Sequence, residues 1–420
     1  MESVDKIVEK FARHVSSGKA EFFARAGVDF VMGKRDGVYV WGDCSSSQSG
    51  GERLIDCHCN GGVFNLGHRN PRLIAALKQA LDEFDIGNHH LISRPRTLLA
   101  ERLASVAPGD LNRVVFGVSG GEAVDFAIKL ARGHTGRPRV ISARGGYHGH
   151  TGLALAAGEE QYRKPFQPLA PGFLQVPFGD LDALHEAMGD DVAAVIFETI
   201  PATLGIALPP DNFFAGVRQL CDRFGAVMIM DEVQTGLGRC GEVWGINAYG
   251  VIPDIIVTAK GLSGGLYPIT ATIYREHLNP FLHANPFIHV STYGGAEVGC
   301  YVALEVLNIL EAPGFLEHVR EMAGLFANGL AGLREKHPEV LLEVRQKGLM
   351  MGLKLRDESC GPLMTLAGFR QGLLTIYANH DPSVSQILPP LIIQEQEVAQ
   401  VLEALERMLV WLEEAVLAQK

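Results

Sequence analysis

The sequence has little of what nucleic-acid-binding or membrane proteins need. Its 420 residues include 37 Lys and Arg against 48 Asp and Glu, which gives a formal net charge of −11. No dense run of basic residues occurs, and proteins that bind nucleic acids usually present a basic face. No apolar run reaches the roughly 18 residues that would cross a bilayer. We therefore expect neither a nucleic-acid partner nor a membrane span.

Export signals, disulfide frameworks and metal motifs are missing as well. The N-terminus, Met-Glu-Ser-Val-Asp-Lys, lacks the basic stretch and apolar core of a secretory signal. The seven cysteines are odd in number and scattered, and only Cys57 and Cys59 lie close together, without the second ligand pair of a zinc site. These absences predict a soluble, cytoplasmic protein with reduced thiols and no metal site.

What the chain does contain is an ordinary globular composition, 47% apolar and 20% charged. Short Val- and Ile-rich runs without polar alternation are typical of strands buried on both faces of a mainly parallel sheet. Between about residues 60 and 310 they alternate with helical segments, which predicts an α/β architecture. The six runs are Arg113–Val118, Arg139–Ser142, Val192–Phe197, Ala226–Met230, Asp254–Thr258 and Ile269–Ile273.

The remaining segments predict a smaller α+β domain. A helical stretch at Glu317–Lys336, two strand-like pieces and a closing amphipathic helix at Val398–Val416 follow one another. No Pro- or Ser-rich linker separates them from the rest of the chain. We therefore divide the chain into an N-terminal segment of the small domain, a large domain and a C-terminal small domain, at residues 1–60, 61–310 and 311–420.

Polar residues directly follow three of the apolar runs, and ligands of an open parallel sheet gather at the carboxyl ends of its strands. Ser119-Gly120-Gly121 begins a helical pattern after the first run, so its backbone N–H groups would form an anion site. Asp231 and Lys260 follow two later runs. Taken alone, the glycine turn is equally typical of a tight turn, the carboxylate of a helix cap, and the lysine of a solvated sheet edge.

Taken together, these features meet the needs of pyridoxal phosphate. The anion site would hold the phosphate, Asp231 would pair with the pyridine nitrogen, and Lys260 would supply the amine for a Schiff base. Tyr147 offers an aromatic face for the ring. The glycine turn lacks the full spacing of a dinucleotide or nucleoside-triphosphate loop, so neither of those ligands is supported.

In this order and spacing, the sequence resembles the class III aminotransferases, which are fold-type I pyridoxal-phosphate enzymes, and among them the ornithine, putrescine and 4-aminobutyrate group. The similarity extends from Leu54 to the last helix. The motifs that carry it are Phe64-Asn65-Leu66-Gly67-His68-Arg69-Asn70-Pro71, Ser119-Gly120-Gly121-Glu122-Ala123, Tyr147-His148-Gly149, Asp231-Glu232-Val233-Gln234-Thr235-Gly236, Ala259-Lys260-Gly261 and Ser291-Thr292-Tyr293-Gly294-Gly295.

The resemblance implies a role for each residue that matches a catalytic or ring-binding position. Lys260 matches the Schiff-base lysine, which also moves the proton during the reaction. Asp231 matches the carboxylate at the pyridine nitrogen, and Gln234 matches a residue near the phenolic oxygen of the ring. Tyr147 would stack on the ring, with His148 beside it.

The resemblance also implies how the phosphate is bound. Ser119, Gly120 and Gly121 would bind it at the helix start, although the family usually has threonine at position 121. Thr292 matches a threonine that reaches the phosphate from the partner subunit. A homodimer with active sites at the interface is therefore implied.

Two departures from the family lie on the substrate side. We expect Phe64, Glu198 and Gln386 to contact an amino acid or amine substrate, and Glu198 matches a glutamate at the active-site mouth. Gln386 stands where the family typically has an arginine that grips the α-carboxylate of glutamate or 2-oxoglutarate. A glutamine cannot form that bidentate charged pair. The second departure is Thr199–Gly205, an apolar, proline-containing segment where the family has a polar, glycine-rich one.

The resemblance implies an enzyme that transfers an amino group to a keto acid or aldehyde, with an altered carboxylate site at Gln386. The alternative is another pyridoxal-phosphate reaction of a biosynthetic pathway, such as decarboxylation, epimerisation, elimination or carbon–carbon bond formation. Asp231 and Lys260 serve both kinds of reaction, so the sequence leaves this alternative open.

The cofactor assignment is tested at Lys260. Borohydride reduction of the purified protein should fix the cofactor covalently to this residue, and the Lys260→Ala variant should form no such adduct, because it lacks the amine. Peptide mapping by mass spectrometry locates the link. An adduct on any other residue would contradict the assignment.

Overall fold

The computed structural model describes residues 2–25, 28, 30–43, 53–87 and 91–417. The six cysteines in these ranges are buried and free, and Cys44 lies outside them. Within the described ranges, no group of three or more His, Cys, Asp or Glu side chains is arranged to hold a metal ion. No single helix in the described residues is long and apolar enough for a membrane span, although the bent pair Glu297–Leu310 and Phe315–Lys336 meets that test by length and composition.

The strands form three sheets. In chain order they are β1 (Met32–Asp36), β2 (Tyr39–Gly42), β3 (Arg53–Asp56), β4 (Leu111–Gly117), β5 (Arg139–Ala143), β6 (Phe173–Val176), β7 (Val192–Glu198), β8 (Val227–Asp231), β9 (Ile255–Thr258), β10 (Thr270–Arg275), β11 (Leu341–Lys347), β12 (Met350–Leu355), β13 (Leu373–Leu374), β14 (Ile376–Tyr377) and β15 (Val384–Ile387).

Helices fill the spaces between these strands. They are α1 (Val4–His14), α2 (Ser17–Arg25), α3 (Cys59–Gly62), α4 (Pro71–Leu81), α5 (Arg94–Val106), α6 (Gly120–Thr135), α7 (Gly152–Ala157), α8 (Glu160–Arg163), α9 (Leu181–Ala187), α10 (Phe213–Phe224), α11 (Asn279–Ala284), α12 (Glu297–Leu310), α13 (Phe315–Lys336), α14 (Cys360–Arg370) and α15 (Glu395–Leu417), with short 3₁₀ turns at Lys164–Phe166, Gly245–Tyr249, Lys260–Ser263 and Glu276–Leu278.

The central sheet confirms the predicted α/β class. Its seven strands run in the order β4-β10-β9-β8-β7-β5-β6, and only β10 is antiparallel to its neighbours. Every residue of β7, β8 and β9 is buried, which explains why these runs contain apolar residues without polar alternation. All six predicted strands are present. The edge strand β6 was not predicted, because it is short and mostly half-exposed.

The first polar turn lies where β4 passes into α6. The hydroxyl of Ser119 accepts the N–H of Glu122 (3.2 Å), and the Glu122 carboxylate accepts the N–H of Val118 (2.7 Å). The Ser119 cap begins the helix immediately after the strand, and the Glu122 bond ties the residue before the cap to the first helical turn. The free N–H groups of Gly120 and Gly121 are thereby held at the carboxyl end of the sheet.

Segments from both ends of the chain pack around a second core. Val38 and Ile55 from the N-terminal part are buried with Phe326, Leu353 and Leu405 from the C-terminal part. Two four-stranded sheets flank this core, in the orders β1-β2-β3-β13 and β11-β12-β15-β14. The exact domain limits at residues 60 and 310 stay a prediction.

A fully buried arginine connects the two cores. Arg239 donates from Nη1 to the carbonyl oxygens of Leu349 (3.0 Å) and Pro389 (2.6 Å) on the C-terminal side. Its Nη2 donates to Oδ1 of Asn65 (2.7 Å). Because an unpaired guanidinium is costly to bury, these bonds fix how the C-terminal part sits against the central sheet.

Candidate active site

A cavity of about 640 Å³ opens at the carboxyl ends of the central strands. Nine of the residues that the sequence predicted as site residues line it, and they come from five separate segments of the chain. They are Ser119, Gly120, Gly121, Tyr147, His148, Glu198, Asp231, Gln234 and Lys260. The rule that ligands bind at the carboxyl ends of parallel strands therefore located this cavity from the sequence.

A buried hydrogen bond between His148 and Asp231 forms the floor of the cavity. The two side chains are 2.8 Å apart, Nδ1 to Oδ2. Burial by itself would lower the pKa of His148, but the bond to Asp231 and the negative charges of Asp231 and Glu198 outweigh it and raise that pKa. Nε2 of His148 is buried and has no hydrogen-bond partner among the described residues.

Glu198 lies next to this pair, at the end of β7. Its Oε1 accepts the backbone N–H of Tyr147 (2.8 Å), which fixes the turn that carries the tyrosine ring. Burial raises the pKa of Glu198 to about 7, while the His148 charge opposes this shift and Asp231 adds to it. A carboxyl with this pKa is close to half-protonated at neutral pH.

Lys260 follows β9 with its amino group in the same cavity. Nζ lies 3.5 Å from Oε1 of Gln234, so the lysine and the glutamine face each other. Burial lowers the pKa of Lys260, against the raising effect of Asp231 and Glu198. The residue also has φ of +41°, a left-handed conformation that side chains rarely adopt and that is found at functional sites.

The anion cradle contains one side chain that the sequence did not single out. A Cβ at Gly121 would lie 2.7 Å from Oγ1 of Thr151, so the threonine hydroxyl occupies the space of a side chain at position 121. Thr151 lines the cavity and makes no capping bond to α7. Its position, three residues after His148 on the same turn, was the available sequence signal.

Three predicted residues do not line the cavity. Thr292 is exposed in the single chain. The ring of Phe64 stacks on His68, with 4.1 Å between ring centres. Gln386 is buried on β15, where its Nε2 donates to the carbonyl of Ala202 (3.1 Å). Their predicted roles as partner-phosphate and substrate contacts stay predictions.

Comparison with known proteins gives consistent similarities over nearly the whole chain. A family model described as Aminotransferase class-III matches residues 23–409. A curated protein of Archaeoglobus fulgidus, described as an uncharacterized aminotransferase, is 58% identical over 400 residues, which cover 95% of this chain and 93% of that protein.

Solved structures agree with that result. The ornithine aminotransferase from Toxoplasma gondii ME49 is 25% identical with a TM-score of 0.89, over 99% of this chain and 97% of that one. A thermostable (S)-enantioselective omega-transaminase from Thermomicrobium roseum is 29% identical with a TM-score of 0.87, over 98% of this chain and 99% of that one.

The raised pKa of Glu198 predicts how stability depends on pH in the cofactor-free protein. The folded state keeps a proton on Glu198 between its ordinary pKa of 4.5 and about 7, whereas the unfolded chain does not. The free energy of unfolding should therefore fall as pH rises through this window. Because glutamine does not titrate, the free energy of unfolding of Glu198→Gln should not show this fall. Relative to the parent, it should rise by up to about 3 kcal/mol between pH 4 and pH 8. Urea unfolding at several pH values measures both free energies. If they depend on pH in the same way in the parent and the variant, the prediction is wrong.

Proposed function

Because this chain belongs to the class-III aminotransferase family, we propose that it moves an amino group from an amine or amino acid to a keto acid or aldehyde. The proposal includes an altered carboxylate site, with Gln386 where the family resemblance implies an arginine. Enzymes of this family use pyridoxal phosphate. The observation that carries the proposal is the convergence of Lys260, Asp231 and the Gly120–Gly121 turn on one cavity.

The residues present fit pyridoxal phosphate. The N–H groups at the start of α6 suit a phosphate, and the Thr151 hydroxyl would take the place of the family's threonine at position 121. The carboxylate of Asp231 suits a protonated pyridine nitrogen, and its bond to His148 keeps it oriented. Lys260 supplies the amine. When bound, the cofactor supplies an aldehyde carbon for amines and a ring that takes up the electron pair released at Cα.

Lys260 is prepared for two tasks. Its lowered pKa increases the share of neutral amine, the form that attacks a carbonyl carbon. With the cofactor bound, the same neutral Nζ would accept the proton from Cα of the substrate and later give it back. Gln234, 3.5 Å away, holds this amino group in the cavity between the two steps.

Asp231 and His148 act as one unit. The negative charge of Asp231 would favour a proton on the ring nitrogen, and the carboxylate is held in place by His148 at Oδ2 and by the backbone N–H of Val233 at Oδ1. Tyr147 would cover one face of the ring, because its backbone is fixed by Glu198.

The substrate side supports an altered carboxylate site. Among the described residues, no arginine lines the cavity, and the Gln386 amide is bonded to Ala202. An α-carboxylate placed in the cavity would lose water without gaining the counter-charge of an arginine from this chain. Substrates that carry no α-carboxylate, such as simple amines, avoid this cost. The description of the 58% identical relative as an aminotransferase supports transfer over the other pyridoxal-phosphate reactions.

The test is a panel of amines, ω-amino acids and α-amino acids, following the cofactor spectrum and the products together. We expect conversion to the pyridoxamine form, reversed by a keto acid or aldehyde, and at least tenfold lower kcat/KM for glutamate than for the best amine donor. Efficient turnover of glutamate would contradict the proposal of an altered carboxylate site. Product that retains its amino group but has lost CO₂ would instead support decarboxylation.

A homodimer with shared sites is supported by the surface around Thr292. Phe287, Ile288, Val290 and Tyr293 are all more than half exposed in the single chain, which is a patch that a second copy would cover. In such a dimer the Thr292 hydroxyl would complete the phosphate site of the neighbouring chain.

Hybrid dimers test this sharing directly. Thr292→Ala should weaken cofactor binding about tenfold or more, through loss of a hydrogen bond to a charged group. A hybrid of one Lys260→Ala chain and one Thr292→Ala chain should regain one intact site, with parent-like cofactor affinity at half occupancy. Titration of tagged, purified hybrids measures this. If the hybrid binds no better than the Thr292→Ala homodimer, each chain completes its own site.

A further inference from the structure

Residues 201–205, here called the wall loop, are gripped by the C-terminal part of the chain. Three groups donate to three of its carbonyl oxygens. Nε2 of Gln386 donates to Ala202 (3.1 Å), the backbone N–H of His380 to Thr203 (3.0 Å), and Nη1 of Arg345 to Gly205 (2.8 Å). The two departures implied by the family resemblance are Gln386 and Thr199–Gly205, which contains the wall loop. The bond from Gln386 to Ala202 therefore joins the two departures.

The side chains that grip the loop lie in one row of a sheet. In the antiparallel strands β11, β12 and β15, Arg345 is directly opposite Gly352, and Gly352 is directly opposite Gln386. Directly opposite residues face the same side of a sheet. A Cβ at Gly352 would lie 3.0 Å from Cβ of Ile206 and 3.1 Å from the carbonyl oxygen of Gly205. The row thus consists of two hydrogen-bond donors, Arg345 and Gln386, with Gly352 between them leaving space for the loop.

On its other side the wall loop contacts the segment that precedes Tyr147. The Thr203 hydroxyl donates to the carbonyl of Gly145 (2.9 Å), two residues before Tyr147. Ile200, immediately before the loop, lines the cavity. Ile206, immediately after it, has φ of +54°, a strained conformation for a β-branched residue that persists only where its surroundings hold it.

We propose that Arg345, Gly352 and Gln386 are positioning residues that fix the wall loop, and through it the substrate side of the cavity. Gln386 acts on the carbonyl of Ala202 and not on the substrate. The kinetic part of this proposal rests on the proposed function. Its structural part does not, because the contacts are between parts of the chain itself.

Hydrogen exchange in the full-length holoenzyme tests whether these hydrogen bonds hold the wall loop in place. The amides of Gly205, Ile206 and Ala207 donate within the loop, and the amide of His380 donates to it, so all four report whether it is held. Gln386→Glu keeps the shape but points a carboxylate oxygen at a carbonyl, and Gly352→Ala fills the gap. Both should speed exchange at these amides about tenfold. Gly324→Ala, on the exposed side of α13 with no heavy atom within 4 Å of the added Cβ, is the matched control and should leave them unchanged.

Kinetics separate positioning from a general loss of structure. KM for the amine donor should rise about tenfold in both variants while kcat changes less than threefold, because Asp231 at the end of β8 and Lys260 after β9 are not held by the loop. Cofactor affinity should stay at the parent value.

Two results would overturn the proposal. One is unchanged exchange at the four amides in both variants. The other is a Gln386→Arg variant that binds 2-oxoglutarate at least tenfold more tightly, since this would show that position 386 faces the substrate. Absence of any amine substrate would count against the proposed function alone, because the exchange experiment needs no substrate.

Discussion

The carboxylate of Asp231 sits where only 4% of the residue is exposed, and the hydrogen bond from His148 makes that position tolerable. A carboxylate without a partner at this depth would take up a proton and lose its charge. Burial raises the pKa of Glu198 and lowers that of Lys260, and the negative charge of Asp231 adds to the first shift and opposes the second. The electrostatics of the cavity therefore depend on burial together with the His148–Asp231 pair at the end of β8.

The same constraint explains why the polar residues come from distant parts of the chain. Parallel strands connected through helices bring their carboxyl ends to one edge, so Asp231 on β8 and Lys260 after β9 become neighbours although 29 positions separate them (260 − 231). The buried apolar strands hold the backbone in place, and the polar side chains at their carboxyl ends line the cavity. Arg239 then fixes the second core against this edge. Its guanidinium donates to two main-chain carbonyl oxygens and to the amide oxygen of Asn65.

Most of the fold and the cofactor side of the cavity could be predicted from the sequence, because both depend on local patterns. Ser119, Asp231 and Lys260 each stand after an apolar run, so their places at one edge of the sheet could be predicted, whereas their roles rest on the family resemblance and stay predictions. The partner of Gln386 could not be predicted in this way. It depends on the register of β11, β12 and β15, and on a loop more than 180 positions earlier in the chain. Thr151 was missed although it stands three residues after His148, because that spacing does not show that its hydroxyl fills the space beside Gly121.

The grip on the wall loop is made to main-chain carbonyl groups, and every residue type carries one. Side chains at positions 202–204 can therefore change over evolutionary time without loss of the contact, provided that the loop keeps its length and path. This arrangement separates anchoring from side-chain identity, because the C-terminal sheet holds the backbone of the loop and not its side chains. An insertion, by contrast, would move the carbonyl groups away from their three donors.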